Sequence, residues 1–135
     1  MTPPDAPLTS VDAGDRAAPA VSSRLTVLTK RSDFLAAARA RRAAVAGFLL
    51  QARQRDAGEP GEGIRVGFTC SKKIGNAVAR NRAKRRLRAL AREILADRGQ
   101  SGWDYVLVGK PQATIASDYA ALQSDLHTAL TRIHG

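Results

Sequence analysis

Residues 71–92 read SKKIGNAVARNRAKRRLRALAR, a stretch with nine lysines or arginines (Lys72, Lys73, Arg80, Arg82, Lys84, Arg85, Arg86, Arg88, Arg92) and no acid; Glu93 is the first negative charge after it. Such a run repels itself unless solvent screens it or something anionic lies against it. The chemistry open to it is phosphate binding. Arginine offers a planar bidentate donor that also stacks on bases, and lysine offers a point charge. The plain alternative is a solvated basic helix face.

The spacing favours phosphate binding. Wound as a helix over 76–97, Ala79, Ala83, Leu87, Leu90 and Ile94 fall on one stripe that packs. Asn81, Arg82, Arg85, Arg88 and Arg92 point the other way, with Lys84 and Arg86 on the flanks and Arg80 near the amino-terminal edge of the stripe. Gly75-Asn76 supplies the entry turn, with Asn76 as the N-cap. Lys72 and Lys73 extend the positive field beyond the helix start, where unpaired N–H groups already favour phosphate. Asn81 either bonds a base edge or ties down the helix start.

The chain carries a net charge of +10 over 135 residues. Residues 1–23 hold Asp5, Asp12 and Asp15 against Arg16, a net −2, so the remainder carries +12. A small domain this basic calls for a polyanionic partner, nucleic acid first. A membrane surface fits less well, because no basic segment has a large apolar face, and no apolar run approaches the ~20 residues of a span. With one cysteine, Cys70, there is no disulfide framework and no Cys-His zinc site. Cys70 ends an alternating pattern and reads as a buried thiol. The start of the chain lacks the features of a secretory signal, so a cytoplasmic protein is expected.

Catalytic constellations are missing. The acids are scattered, no pair is spaced to hold two metal ions, and no Gly-rich phosphate loop is present. His127 and His134 read as surface or cap residues. The expected catalytic residues and metal ligands are therefore none.

The elements that must position the basic helix follow from periodicity. Residues 1–23, rich in Pro, Ala, Ser, Thr and Asp, read as a disordered tail. Ser32 is expected to cap a helix beginning at Asp33 with Phe34, Leu35 and Ala38 on its apolar side, ending in a basic patch of Arg39, Arg41 and Arg42 that is either solvated or RNA-bound. Residues 45–53 read as a strand, 56–63 as a turn-rich loop, and 64–70 as a half-buried strand antiparallel to the preceding one. After the basic helix, 103–109 read as a strand stopped by Pro111, and Thr114 or Ser117 opens a last helix through Ile133. The order helix-strand-strand-helix-strand-helix, with room for one extra short strand, makes an α+β fold, a small two-layer sandwich.

SKKIGNAV followed by ARNRAKRRLR resembles the signature of the protein subunit of bacterial ribonuclease P, with its Arg-Asn-Arg helix at Arg80, Asn81 and Arg82. The likeness joins a lysine pair, a Gly-Asn turn and the basic helix at fixed offsets, and extends more weakly from about Arg24 to the C-terminus. It implies a domain over 24–135 with a left-handed β-α-β crossover, a fold shared with a domain of a ribosomal protein, where the general rule alone would give a right-handed one. It also implies an accessory subunit of an endoribonuclease. The RNA subunit would hold the catalytic Mg2+, and the protein itself would bind no cofactor. The partners would be one ribonuclease P RNA per protein, and precursor tRNA. The expected RNA contacts are Lys72, Lys73, Asn76, Arg80, Asn81, Arg82, Lys84, Arg85, Arg86 and Arg88.

The family holds the single-stranded 5′ leader of precursor tRNA between its first helix and the sheet. Phe34, Phe48 and Lys110 match its residues there, and either ring could equally be core. Where the family often has further rings, this chain has Ala38 and Gln51, and only 4% of it is aromatic, so stacking on the leader should be weak. Two other classes compete. A ribosomal or ribosome-assembly protein would share the charge and fold, but the Lys-Lys to Arg-Asn-Arg offset disfavours it. A DNA-binding regulator lacks a helix-turn-helix before the basic helix, and its Arg-dense face suits phosphates better than bases.

Overall fold

The strand Trp103–Gly109 (β5) organises the molecule: its first five residues are all buried, as a strand covered on both faces and paired on both edges requires. The computed structural model describes residues 25–56 and 63–134. The expected tail over 1–23 lies outside them.

Around β5 the sheet order is β1-β4-β5-β3-β2, with β1 Leu25–Val27, β2 Arg41–Ala44, β3 Phe48–Gln54 and β4 Ile64–Thr69. β4 runs parallel to β5 and to β1, while β3 is antiparallel to β5 and to β2. The expected strands over 45–53 and 64–70 run in opposite directions but do not pair, because β5 lies between them. Its near-continuous apolar run demands that central place.

β3 alternates. Phe48, Leu50 and Ala52 are fully buried in the main core; Leu49, Gln51 and Arg53 turn to the other face. Onto the main-core face pack α2 (Ala77–Leu90) and α4 (Tyr119–His134). Onto the opposite face packs α1 (Arg31–Arg39), through Phe34 and Ala37 against Leu28, Val106 and Val108. Helices therefore flank the sheet on both sides, which corrects the two-layer expectation.

Three more local expectations change. α1 starts at Arg31, after Lys30 and not after a Ser32 cap. Arg41 and Arg42 belong to edge strand β2 rather than to the helix end. The last helix is two: α3 (Ala113–Ala116) and α4 are separated at extended Ser117. Arg86 satisfies carbonyls at this junction, donating to the Ile115 carbonyl and to the Ser117 carbonyl at 2.6 Å.

α2 does not end at Leu90. A π turn over Ala91–Leu95 carries it into Ala96–Arg98, with the Ala96 N–H bonded to the Ala91 carbonyl five residues back. Ile94, Leu95 and Ala96 are all buried along this wider turn.

A buried carboxylate anchors the α1 face. Asp104 of β5, fully buried, accepts from Arg55 Nη1 at 2.6 Å and from Arg65 Nε and Nη2 at 2.7 Å each, with Arg53 Nη1 at 3.5 Å. Arg65 also reaches Asp33 of α1 at 3.6 Å, fastening the helix to the sheet. Gly67 of β4 lets α1 sit close, since a Cβ there would lie 2.5 Å from Phe34 Cε1.

At the far end, Tyr105 Oη accepts from the Gln100 N–H at 2.9 Å and lies 2.7 Å from His134 Nε2. Burial, then Arg41 and Arg98, holds the His134 pKa below its usual value. The unfolded chain takes up that proton more readily, so this contribution to stability is fully present above pH about 6.5 and is lost as pH falls below it. Melting at pH 7.5 and 5.5 should show a smaller drop for His134→Gln than for the wild type; equal drops would remove His134 from the pH response.

Candidate RNA interface

The start of α2 is built by three residues. Gly75 has φ +144, a conformation that favours glycine, and turns the chain out of the short 3-10 turn Lys72–Ile74. Asn76 then caps, its Oδ1 accepting from the Ala79 N–H at 3.0 Å. Arg80 Nη1 donates back to the Gly75 carbonyl at 3.0 Å, bracing the same turn. Lys72 and Lys73 are exposed just ahead of it.

Along α2 the two faces separate as the spacing predicts. Ala83, Leu87 and Leu90 are buried, and Asn81, Arg82, Arg85, Arg88 and Arg92 are all exposed. Lys84 is half-buried on the flank, and Arg88 lies over the Phe68 ring at 5.8 Å. Burial, followed by repulsion from Arg92, lowers the Arg88 pKa. Among the described residues no carboxylate comes within ion-pair distance of an α2 cation.

Glu93, the acid nearest in sequence, is turned away. It accepts from the Tyr119 hydroxyl and from Gln123 Nε2 at 3.0 Å, both on α4. Burial, then that hydrogen bond, pushes the Tyr119 pKa up to about 12. Arg86, half-buried on the other flank, donates its guanidinium to the Ile115 and Ser117 carbonyls.

The three residues matched to the leader cleft do not gather. Phe34 lies half-buried on the α1 face, over Gly67. Phe48 is fully buried on the other face, inside the main core, and has no ring surface to offer RNA. Lys110 is half-buried and its Nζ donates to the Val45 carbonyl, while its N–H donates to Thr114 Oγ1 at 2.8 Å. It pins the turn between β2 and β3. Cys70 lies just past β4 and is half-buried, not buried; burial raises its thiol pKa despite nearby Lys84.

Spacing missed the Asp104 cluster. A single acid inside an apolar strand, opposite Arg53 and Arg65 on the neighbouring strands and near Arg55 just past β3, was the available signal. Among the described residues no helix is long and apolar enough to cross a membrane, and no three His, Cys, Asp or Glu residues converge as metal ligands would.

A sheet flanked by a short helix on one side and a bare cationic helix on the other matches known proteins. The family model described as Ribonuclease P matches residues 23–134. The ribonuclease P protein component of Ruegeria pomeroyi is 62% identical over 113 residues, covering 84% of this chain and 90% of that protein. That of Paramagnetospirillum magneticum is 42% identical, covering 84% and 86%. The solved RNase P protein of Staphylococcus aureus superposes with a TM-score of 0.63 at 22% identity, covering 79% of this chain and 94% of that one. The Thermotoga maritima RNase P protein gives 0.63 at 23%, covering 78% and 94%. These two share the fold. On the family model and the close relatives, the chain belongs to the ribonuclease P protein component family.

Proposed function

We propose that this chain works through two surfaces on opposite sides of its sheet. As a ribonuclease P protein component it is a subunit of an RNA-based enzyme and takes part in 5′ processing of precursor tRNA. The outer face of α2 docks the catalytic RNA. The observation that carries this reading is the row Arg82, Arg85, Arg88 and Arg92, exposed and with no carboxylate against it among the described residues. Where RNA strands crowd together, these cations displace condensed counterions, and Arg80, Lys84, Lys72 and Lys73 extend the contact toward the helix start. Asn76 and Asn81 sit within the same surface, Asn76 already committed to its cap.

The face under α1 takes the single-stranded leader of precursor tRNA, with Phe34 as its ring. The magnesium ions that the cleavage requires belong to the RNA, and no residue of this chain is assigned to hold them. One protein serves one RNA, in the cytoplasm, and residues 24–135 are the working unit. The connection from β4 through α2 to the adjacent parallel β5 is assigned the left hand.

Phe34 separates the two surfaces. In holoenzyme, Phe34→Ala should weaken precursor tRNA about fivefold or more, the worth of one stacked base, and leave mature tRNA unchanged. Equal loss for both would assign Phe34 to packing alone.

A further inference from the structure

One arginine of the α2 ridge differs from its neighbours. Arg82, Arg85 and Arg92 make no hydrogen bond, ion pair or ring contact with a described residue. The Arg88 guanidinium instead lies 5.8 Å from the centroid of the Phe68 ring, within the range at which a ring attracts a cation. Phe68 stands on β4 two residues after Val66 and on the same face, and it pairs with fully buried Leu107 of β5. Its ring therefore belongs to the main-core side of the sheet, away from α1. β1 pairs with β4 only as far as Val66, so among the described residues no strand flanks Phe68 on the outer edge. The ring is left half-buried at the rim of the core, and α2 brings Arg88 onto it.

A long cationic side chain on a helix surface samples many rotamers and loses that freedom when it grips a phosphate. Arg88 has given up part of it beforehand. Burial, the first cause of its lowered pKa, has also stripped some water from the guanidinium, which stays charged. A ring contact uses no N–H donor, so the donors of Arg88 remain available to an anion.

We propose that Phe68 is a positioning residue for RNA docking: it holds the Arg88 guanidinium oriented on the ridge before the catalytic RNA arrives, so that the fork takes a phosphate without first having to be ordered. The inference rests on the reading that α2 docks the RNA. Phe68 acts through Arg88 and touches no nucleotide itself. The ridge then carries mobile arginines that adapt to the RNA and one fixed arginine that does not.

The test is equilibrium binding of ribonuclease P RNA to the full chain across a salt series, with the melting temperature of each variant. Arg88→Ala should weaken binding about tenfold and reduce the salt slope by about one. Phe68→Leu keeps an apolar side chain at the rim and should weaken binding about threefold to tenfold, the worth of ordering one long side chain, with the slope unchanged. Phe68→Tyr should restore wild-type affinity, and Phe68→Met serves the same comparison where Phe68→Leu does not fold. The deciding variant is Phe68→Leu combined with Arg88→Ala, which should bind within a factor of two of Arg88→Ala alone. A larger further loss, or Phe68→Leu within a factor of two of the wild type, overturns the positioning role. If Arg88→Ala binds as the wild type does while Arg82→Glu/Arg85→Glu does not, the positioning role falls and α2 remains the docking face. If neither weakens binding, both fall.

Discussion

Reversing Arg82 and Arg85 to glutamate together is expected to lower affinity for ribonuclease P RNA by about a hundredfold or more and to flatten its salt dependence by about two contacts. Both side chains are exposed one helical turn apart on the ridge, and neither touches the core. The exchange converts two phosphate donors into two repelling carboxylates. The fold should not suffer. The ridge strains against itself in the free protein, so two acids beside Arg88 and Arg92 relieve repulsion, and the melting temperature should hold or rise. RNA affinity within a factor of two of the wild type would mean that α2 is not the docking face. Arg86→Glu gives the internal contrast: it should lose stability first, because its guanidinium holds the junction of α3 and α4.

The second large effect is on stability. Asp104→Asn should cost about 3 kcal/mol or more, because it leaves the guanidiniums of Arg53, Arg55 and Arg65 around a neutral amide in a buried place. For a domain of this size that lowers the melting temperature by about 10 °C or more. Asp33→Asn, at the partly exposed outer end of the same cluster and 3.6 Å from Arg65, should cost no more than about 1 kcal/mol. Similar losses for the two would show that Asp104 is not the centre of the network.

The α2 ridge was legible because a helix period sorts residue types by face, and nothing in the tertiary structure overrides that sorting until the π turn at Ala91–Leu95. That turn has no marker in residue type; it is set by what Ile94, Leu95 and Ala96 pack against. Strand identities were legible from alternation, but the order of strands was not, because pairing depends on which strand can be buried on both faces. The run WDYVLV held that information, and Asp104 within it disguised it. Phe48 and Phe34 look alike in sequence. The fold separates them: Phe48 lies on the main-core face of β3, and Phe34 reaches from α1 onto the opposite face of the sheet, over Gly67. The carbonyl contacts of Lys110 and Arg86 were not legible for a shared reason: a basic residue beside a turn can cap carbonyls as well as bind phosphate, and residue type does not tell the two apart.

A working subunit that docks its RNA through α2 should show itself in 5′-leader removal from a precursor tRNA, using bacterial ribonuclease P RNA at low magnesium with and without this protein. Cleavage that depends on the protein, and that is lost with Arg82→Glu/Arg85→Glu while the variant stays folded, is the predicted result. Cleavage unchanged by the protein, despite tight binding to the RNA, would contradict it.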